Sequence, residues 1–188
     1  MAVASQVLAL DTKMPEFSLT DTVTSRVVSS SELAGKPAVV IFVCNHCPYV
    51  KRIREGLAAF GRVCAESGVA MVAISSNDPT TYPEDGPDKM RLEAKDAGYS
   101  FPYLFDESQA VAKAFGAVCT PDLYVFDASG LLAYHGQFDD ARPKNSVPVT
   151  GADARRAIDA LLAGKRPSGD QTPSIGCSIK WKPGNEPA

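Results

Sequence analysis

Apolar positions in this chain alternate between unbroken runs and helical spacings. Ala38 to Val43 reads AVVIFV, a continuous apolar run that suits a strand covered on both faces. From about Pro48 to Cys64 the pattern changes. Val50, Ile53, Leu57, Phe60 and Cys64 recur at steps of three and four, the stripe of an amphipathic helix, with Lys51, Arg52, Arg54 and Glu55 off it. Val69 to Ile74 is a second buried run. Strand, helix, strand in this order predicts a right-handed parallel crossover.

The remaining pattern fills in around this unit. Phe17 to Thr20 and Arg26 to Val28 predict two short strands about a turn, and Ser31 to Gly35 one helical turn with a glycine stop. Residues Ser75 to Asp88 are rich in Pro, Asp, Asn and Thr and predict a long loop of the kind that often carries function. Lys89 to Ala97 reads as a helix ended by Gly98. Asp106 can cap a short helix through Phe115, with Gln109 at the capping-box position. Leu123 to Phe126 and Leu131 to Tyr134 flank Asp127-Ala128-Ser129-Gly130, a hairpin signal. Thr150 can cap a last helix through Ala154, Ile158, Leu161 and Leu162. From Gly164 on the chain is rich in Pro and Gly and is expected to be irregular. No internal repeat or second domain is read: the 188 residues are expected to form one domain, core about 14–164 and tail 165–188.

Composition narrows the function. Hydrophobic residues at 45% and charged residues at 22% are ordinary for a water-soluble domain, and a net charge of −3 argues against a nucleic-acid surface. No apolar stretch approaches the ~20 residues of a membrane span, and the first residues carry no basic signal region. Five cysteines, an odd number, do not read as a secreted disulfide framework. Reduced thiols with one redox pair, in the cytoplasm, fit better.

That pair is Cys44-Asn45-His46-Cys47, set where the apolar run ends and the helix begins. Two cysteines three apart can close a disulfide within one turn. Free N–H groups at a helix start favour an anion, and such settings lower a thiol's pKa from about 8.5. Cys44 is expected to be the exposed attacking thiolate and Cys47 the buried resolving thiol. Asn45 and His46 are tuning positions: a histidine beside a thiolate stabilises it, which makes the pair a stronger oxidant than thioredoxin at about −270 mV. An exposed spacer is the plainer reading of His46. Cys64 lies on the apolar face and reads as structural. Lys51, Arg52 and Arg54 either steer acidic partners or form a solvated face; His135 with Asp139-Asp140 suggests a structural cluster.

The element order resembles the thioredoxin-like fold, a three-layer α/β/α sandwich with a central mixed sheet, here with an N-terminal hairpin extension and an irregular C-terminal tail. Val118-Cys119-Thr120-Pro121-Asp122, just before a strand, stands where that fold carries a cis-proline facing the cysteines. More narrowly, the chain resembles the AhpC/TSA-type, peroxiredoxin-like redoxins. The matching pieces are residues 42–50, Ser76-Asn77-Asp78-Pro79, Phe101-Pro102-Tyr103-Leu104, residues 134–140 and the tail Gly176 to Lys182. The resemblance implies that Pro121 shields Cys44 and that the Thr120 backbone pairs with substrate. Cys119 and Cys177 are auxiliary thiol candidates: Cys119 could equally be a packed core residue, and Cys177 could reach Cys44 or merely pack beside Trp181. Two departures stand out. The peroxidase pattern Pro-x-x-x-Thr/Ser-x-x-Cys meets Pro37 and Ile41 counting from Cys44, and Val40 and Cys44 counting from Cys47, so neither register supplies the hydroxyl. Thioredoxin's Trp and buried Asp are replaced by Val43 and Ala38.

Three functions follow as expectations. The first is a thiol–disulfide oxidoreductase cycling Cys44 and Cys47, with a thiol peroxidase as its nearest variant. The second is a Cu or Zn binder using Cys44, His46, Cys47 and a distal His135 or Cys119. The third is a non-catalytic interaction module. For the first, no cofactor or metal is expected; partners are protein or small-molecule thiols and disulfides or peroxides, plus a dithiol reductant. Nucleic acid and membrane are not expected partners, and the chain is expected to be a monomer or homodimer.

Overall fold

A computed structural model describes residues 2–6 and 8–187. Along the chain come β1 (Ala2–Ala4), β2 (Ser18–Asp21), β3 (Val27–Ser29), a 3-10 turn (Ser30–Leu33), β4 (Ala38–Phe42), α1 (Pro48–Glu66), β5 (Ala70–Ser75), a 3-10 turn (Pro83–Asp85) and α2 (Pro87–Ala97). They are followed by β6 (Tyr103–Phe105), α3 (Ala110–Phe115), β7 (Cys119–Thr120), β8 (Asp122–Phe126), β9 (Leu132–Gly136), α4 (Ala152–Leu162) and β10 (Ile175–Ser178).

Seven strands form a mixed sheet in the order β3-β2-β6-β5-β4-β8-β9, with β4 and β5 parallel at its centre and β8 antiparallel to β4. All five residues of β4 are buried because both faces are covered. Alternation divides its side chains. Val39 and Ile41 face Ile53, Leu57 and Phe60 of α1, together with Met90 of α2 and Ile158 of α4. Val40 and Phe42 face Val111 and Phe115 of α3 and Leu33 of the first 3-10 turn. Each such large apolar side chain contributes about 1.5–3 kcal/mol on burial, which fixes the strand ends and hence the Cys44–Cys47 turn. The result is the expected α/β/α layering about a mixed sheet.

Several local readings need correction. Helix α2 starts at Pro87, not Lys89, because proline suits the first helical position. The loop before it carries the turn Pro83–Asp85. Helix α3 starts at Ala110, with Gln109 as its N-cap in the left-handed region (φ 63°). Asp106 instead accepts the Ala112 N–H at 3.0 Å. Gly151, not Thr150, caps α4, and the Asp139 carboxylate accepts both of their N–H groups at 2.8 and 2.7 Å. The tail is not wholly irregular: β10 pairs with β1 on one side and β7 on the other in a separate three-stranded sheet. Strands β1, β6 and β7 were not read from the sequence either; each is only two or three residues long. Among the described residues no helix is long and apolar enough to cross a membrane.

Candidate active site

Cys44 follows the C-terminal end of β4, and Cys47 is the N-cap of α1, with Pro48 at the first helical position. All five cysteines are free thiols. The two sulfurs converge on one residue: Cys44 Sγ lies 3.3 Å from Thr120 Oγ1, and the Cys47 thiol donates to the Thr120 carbonyl oxygen at 3.2 Å. The Thr120–Pro121 peptide bond is cis.

The expected exposed thiolate at Cys44 is corrected on two counts. Cys44 is 1% exposed, as shut in as Cys47 at 0%. The amides meant to favour its anion are taken: Asp85 Oδ1 accepts the N–H groups of Asn45 and His46 at 2.8 and 3.2 Å. Cys44 is driven strongly toward the neutral thiol, first by its hydrogen bond to Cys47, then by burial and by the Asp85 charge. Cys47 moves the other way. The Cys44 thiol contributes most to lowering its pKa, burial opposes, and the Cys177 thiol and the amides of Val50 and Cys177 add to the lowering. Cys47 makes no formal side-chain cap bond, but the Val50 amide of the first turn still favours its anion. Asp85 lies on the Cys44 side, and on the Cys47 side the S–H bond to the Thr120 carbonyl opposes the lowering.

Asp85 is the residue that sequence reasoning missed. Wholly buried, it also bonds His46 Nδ1 through Oδ2 at 2.5 Å and accepts Asn77 Nδ2 at 2.8 Å. Its signal was the long polar loop, but nothing in the spacing singled out one carboxylate. His46 stacks on Tyr82 with ring centroids 4.8 Å apart. Asn45 donates to the Glu84 carbonyl and accepts the Tyr103 hydroxyl. Asn45 and His46 are thus clamped by the 77–85 loop rather than left as a free spacer.

Of the other candidates, Cys177 joins the site, because β10 places it opposite Thr120. Cys119 is buried, with its sulfur 3.8 Å from the Pro121 carbonyl, and burial pushes its thiol up. Cys64 is buried at the far end of α1, its thiol pushed up to about 12 by burial. His135 is not a distal ligand: Nδ1 accepts the Leu8 N–H at 3.3 Å, so Nε2 donates to Asp122 Oδ1 at 3.0 Å, and both nitrogens are occupied. Arg54 pairs with Glu93 and Arg52 donates to the Val147 carbonyl, away from the thiols. Asp139 serves backbone amides and Asp140 accepts from Gln137, so neither joins His135. Potential ligand atoms of Cys44, His46 and Asp85 lie within 4.8 Å of one another. The two Asp85 oxygens, however, already make four hydrogen bonds.

The comparisons with known proteins bear on the family and the fold. An uncharacterized conserved protein from Geobacillus kaustophilus is 47% identical, with a TM-score of 0.95 and 97% of each chain covered. A hypothetical protein from Sinorhizobium meliloti is also 47% identical, with a TM-score of 0.92, covering 95% of this chain and 98% of that one. A thioredoxin-family thiol:disulfide interchange protein from Chlorobium tepidum, 22% identical, superposes with a TM-score of 0.63 over 83% of this chain and 99% of its own, and shows the shared fold. No curated protein matches. The AhpC/TSA family model matches residues 10–135, two thirds of the sequence and all of the Cys44–Thr120 site, so the chain belongs to the AhpC/TSA family and has its thioredoxin-like redox fold.

Proposed function

We propose that the chain is a thiol–disulfide oxidoreductase that cycles Cys44 and Cys47 between dithiol and disulfide. The observation that carries this is the convergence of both sulfurs on Thr120, Cys44 on its hydroxyl and Cys47 on its carbonyl oxygen. The Cys47 thiolate attacks a substrate disulfide and forms a mixed disulfide, and the leaving sulfur departs with the bonding electron pair. Cys44 then gives up its proton to that leaving thiolate and attacks Cys47. The second substrate sulfur is expelled and the Cys44–Cys47 disulfide closes. The substrate gains two electrons, and a dithiol reductant restores the pair. A reducing compartment such as the cytoplasm suits this direction.

Reduction of insulin disulfides by the purified chain, with dithiothreitol as recycler, tests the reading. Turnover above dithiothreitol alone, lost in Cys44→Ser and in Cys47→Ser, supports it. Turnover unchanged in both variants overturns it.

One observation favours a second reading, a thiol peroxidase. The hydroxyl missing three residues before Cys44 has a counterpart in Thr120 Oγ1, which lies 3.3 Å from Cys44 Sγ and is supplied from another strand. Cys44, once deprotonated, would become a sulfenic acid, and Cys47 would condense with it to the disulfide, releasing water. Hydrogen peroxide consumption no faster than that of a free thiol removes this reading.

A further inference from the structure

Strand β10 lies along the backbone of Thr120, the edge where a substrate strand would pair. Cys177 is registered against Thr120 and Ser178 against Cys119. The approach is backbone on backbone: a Cβ added at Gly176 would fall 1.9 Å from the Thr120 carbonyl oxygen and 3.0 Å from Pro121 N. The strand is also tied down beyond the cysteine. The Ile179 N–H donates to the Val118 carbonyl at 3.0 Å, the Lys180 N–H to Asn77 Oδ1 at 2.8 Å, and Gln109 Nε2 to the Lys180 carbonyl at 2.9 Å. This docking packs the half-buried Cys177 against the cluster that holds Cys44 and Cys47, opposite the Thr120 whose carbonyl the Cys47 sulfur touches, and Cys177 joins Cys44 in acting on the Cys47 thiol.

We infer that Cys177 is a third redox thiol of the site, and that β10 stands in for the extended, cysteine-bearing peptide strand that is the substrate class. The inference rests on the Cys44–Cys47 couple proposed above. In the oxidised chain Cys177, on losing its proton, attacks the Cys47 sulfur. The Cys44–Cys47 bond breaks, the Cys47–Cys177 bond forms, and the Cys44 sulfur leaves with the electron pair and takes up a proton. Two cysteines remain oxidised and one reduced, so no outside oxidant is needed for the exchange. The product bonds the tail covalently over Thr120 and closes that edge to a substrate strand; the reduced tail is held by hydrogen bonds and packing alone. Cys119, nearer to Cys47 in sequence, takes no part because its sulfur faces the Pro121 carbonyl.

The test is oxidation of the full chain with diamide, alkylation of the remaining thiols, and mass spectrometry of tryptic peptides. In Cys44→Ser the Cys47 peptide is expected joined to the Cys177 peptide within one chain. In wild type a fraction of chains should accept the alkylating agent at Cys44 while Cys47 and Cys177 are linked. The wild-type arm decides the matter if the serine variant does not fold. A wild-type Cys44–Cys47 disulfide with no Cys47–Cys177 product overturns this inference and leaves the redox couple standing. Absence of any disulfide at Cys47 overturns both.

Discussion

Asp85 holds His46 at two points, accepting its backbone N–H at 3.2 Å through Oδ1 and bonding its ring Nδ1 at 2.5 Å through Oδ2. The carboxylate thus occupies the amide site beside Cys44 that a thiolate would otherwise use, and its charge raises the Cys44 pKa. Asp85→Asn removes that charge while keeping the side-chain shape. Stabilising the reduced, anionic state makes the couple more oxidising. The potential should rise by about 30 mV for each tenfold change in the exchange equilibrium. Equilibration with glutathione checks this; an unchanged or more negative potential contradicts the assigned role of Asp85.

Opposite shifts at Cys47 and Cys44 predict an optimum in the pH dependence of stability for the reduced chain. Cys47 has a folded pKa below its unfolded value of about 8.5. Its contribution is therefore fully present above that value and is lost as pH falls through the folded pKa. Cys44 is shifted upward, so its contribution is present below about 8.5 and is lost at higher pH. Under reducing conditions the urea midpoint of wild type relative to Cys47→Ala should climb from acid toward the ordinary thiol range. Parallel profiles for the two proteins would contradict the Cys47 shift.

Gly176 has no room for a side chain against Thr120. Gly176→Ala should displace β10 at a cost of about 1–3 kcal/mol and uncover Cys47. Iodoacetamide labelling of Cys47 in the reduced protein should quicken several-fold, while Cys64, buried on the core face of α1, stays protected. Equal labelling of Cys47 in variant and wild type would show that β10 does not cover it.

Asp122 and His135 form a wholly buried pair under the cis-proline turn, with Tyr124 donating to the second Asp122 oxygen at 2.9 Å. His135→Phe leaves that carboxylate with one partner and should cost about 1–3 kcal/mol of unfolding free energy, measured by urea denaturation. Asp122→Asn with the histidine retained should cost less, because the amide oxygen still accepts from Nε2 and no buried charge remains. A loss under about 1 kcal/mol in His135→Phe, within the range of surface changes, would contradict a structural role for the pair.

The central unit was legible because its signals are local. Both-face burial makes β4 and β5 unbroken apolar runs, and one buried face gives α1 its stripe from Val50 to Cys64. The dithiol motif sits at the junction between them, and Thr120-Pro121 announces its turn through the proline. What was hidden depends on distant partners. Asp85 is 40 positions from Asn45, and no periodicity links them. Strand β10 contains only Ile-Gly-Cys-Ser, with no alternation to betray a strand, and owes its form to pairing with β1 and β7. The opposite shifts of Cys44 and Cys47 come first from the hydrogen bond between the two thiols, and then from those same two segments, Asp85 acting on one sulfur and Cys177 on the other. A helix start alone had pointed to the first cysteine.

A redox titration read residue by residue tests the central claim most directly. The chain is equilibrated across dithiothreitol ratios, quenched by alkylation, and each cysteine scored by mass spectrometry. Cys47 should lose alkylation in a two-electron step together with Cys44, or with Cys177 in the exchanged fraction, at a potential less negative than the roughly −270 mV of thioredoxin, while Cys64 and Cys119 remain labelled after unfolding. If Cys44 and Cys47 both stay labelled at the oxidising limit, the proposed couple does not exist.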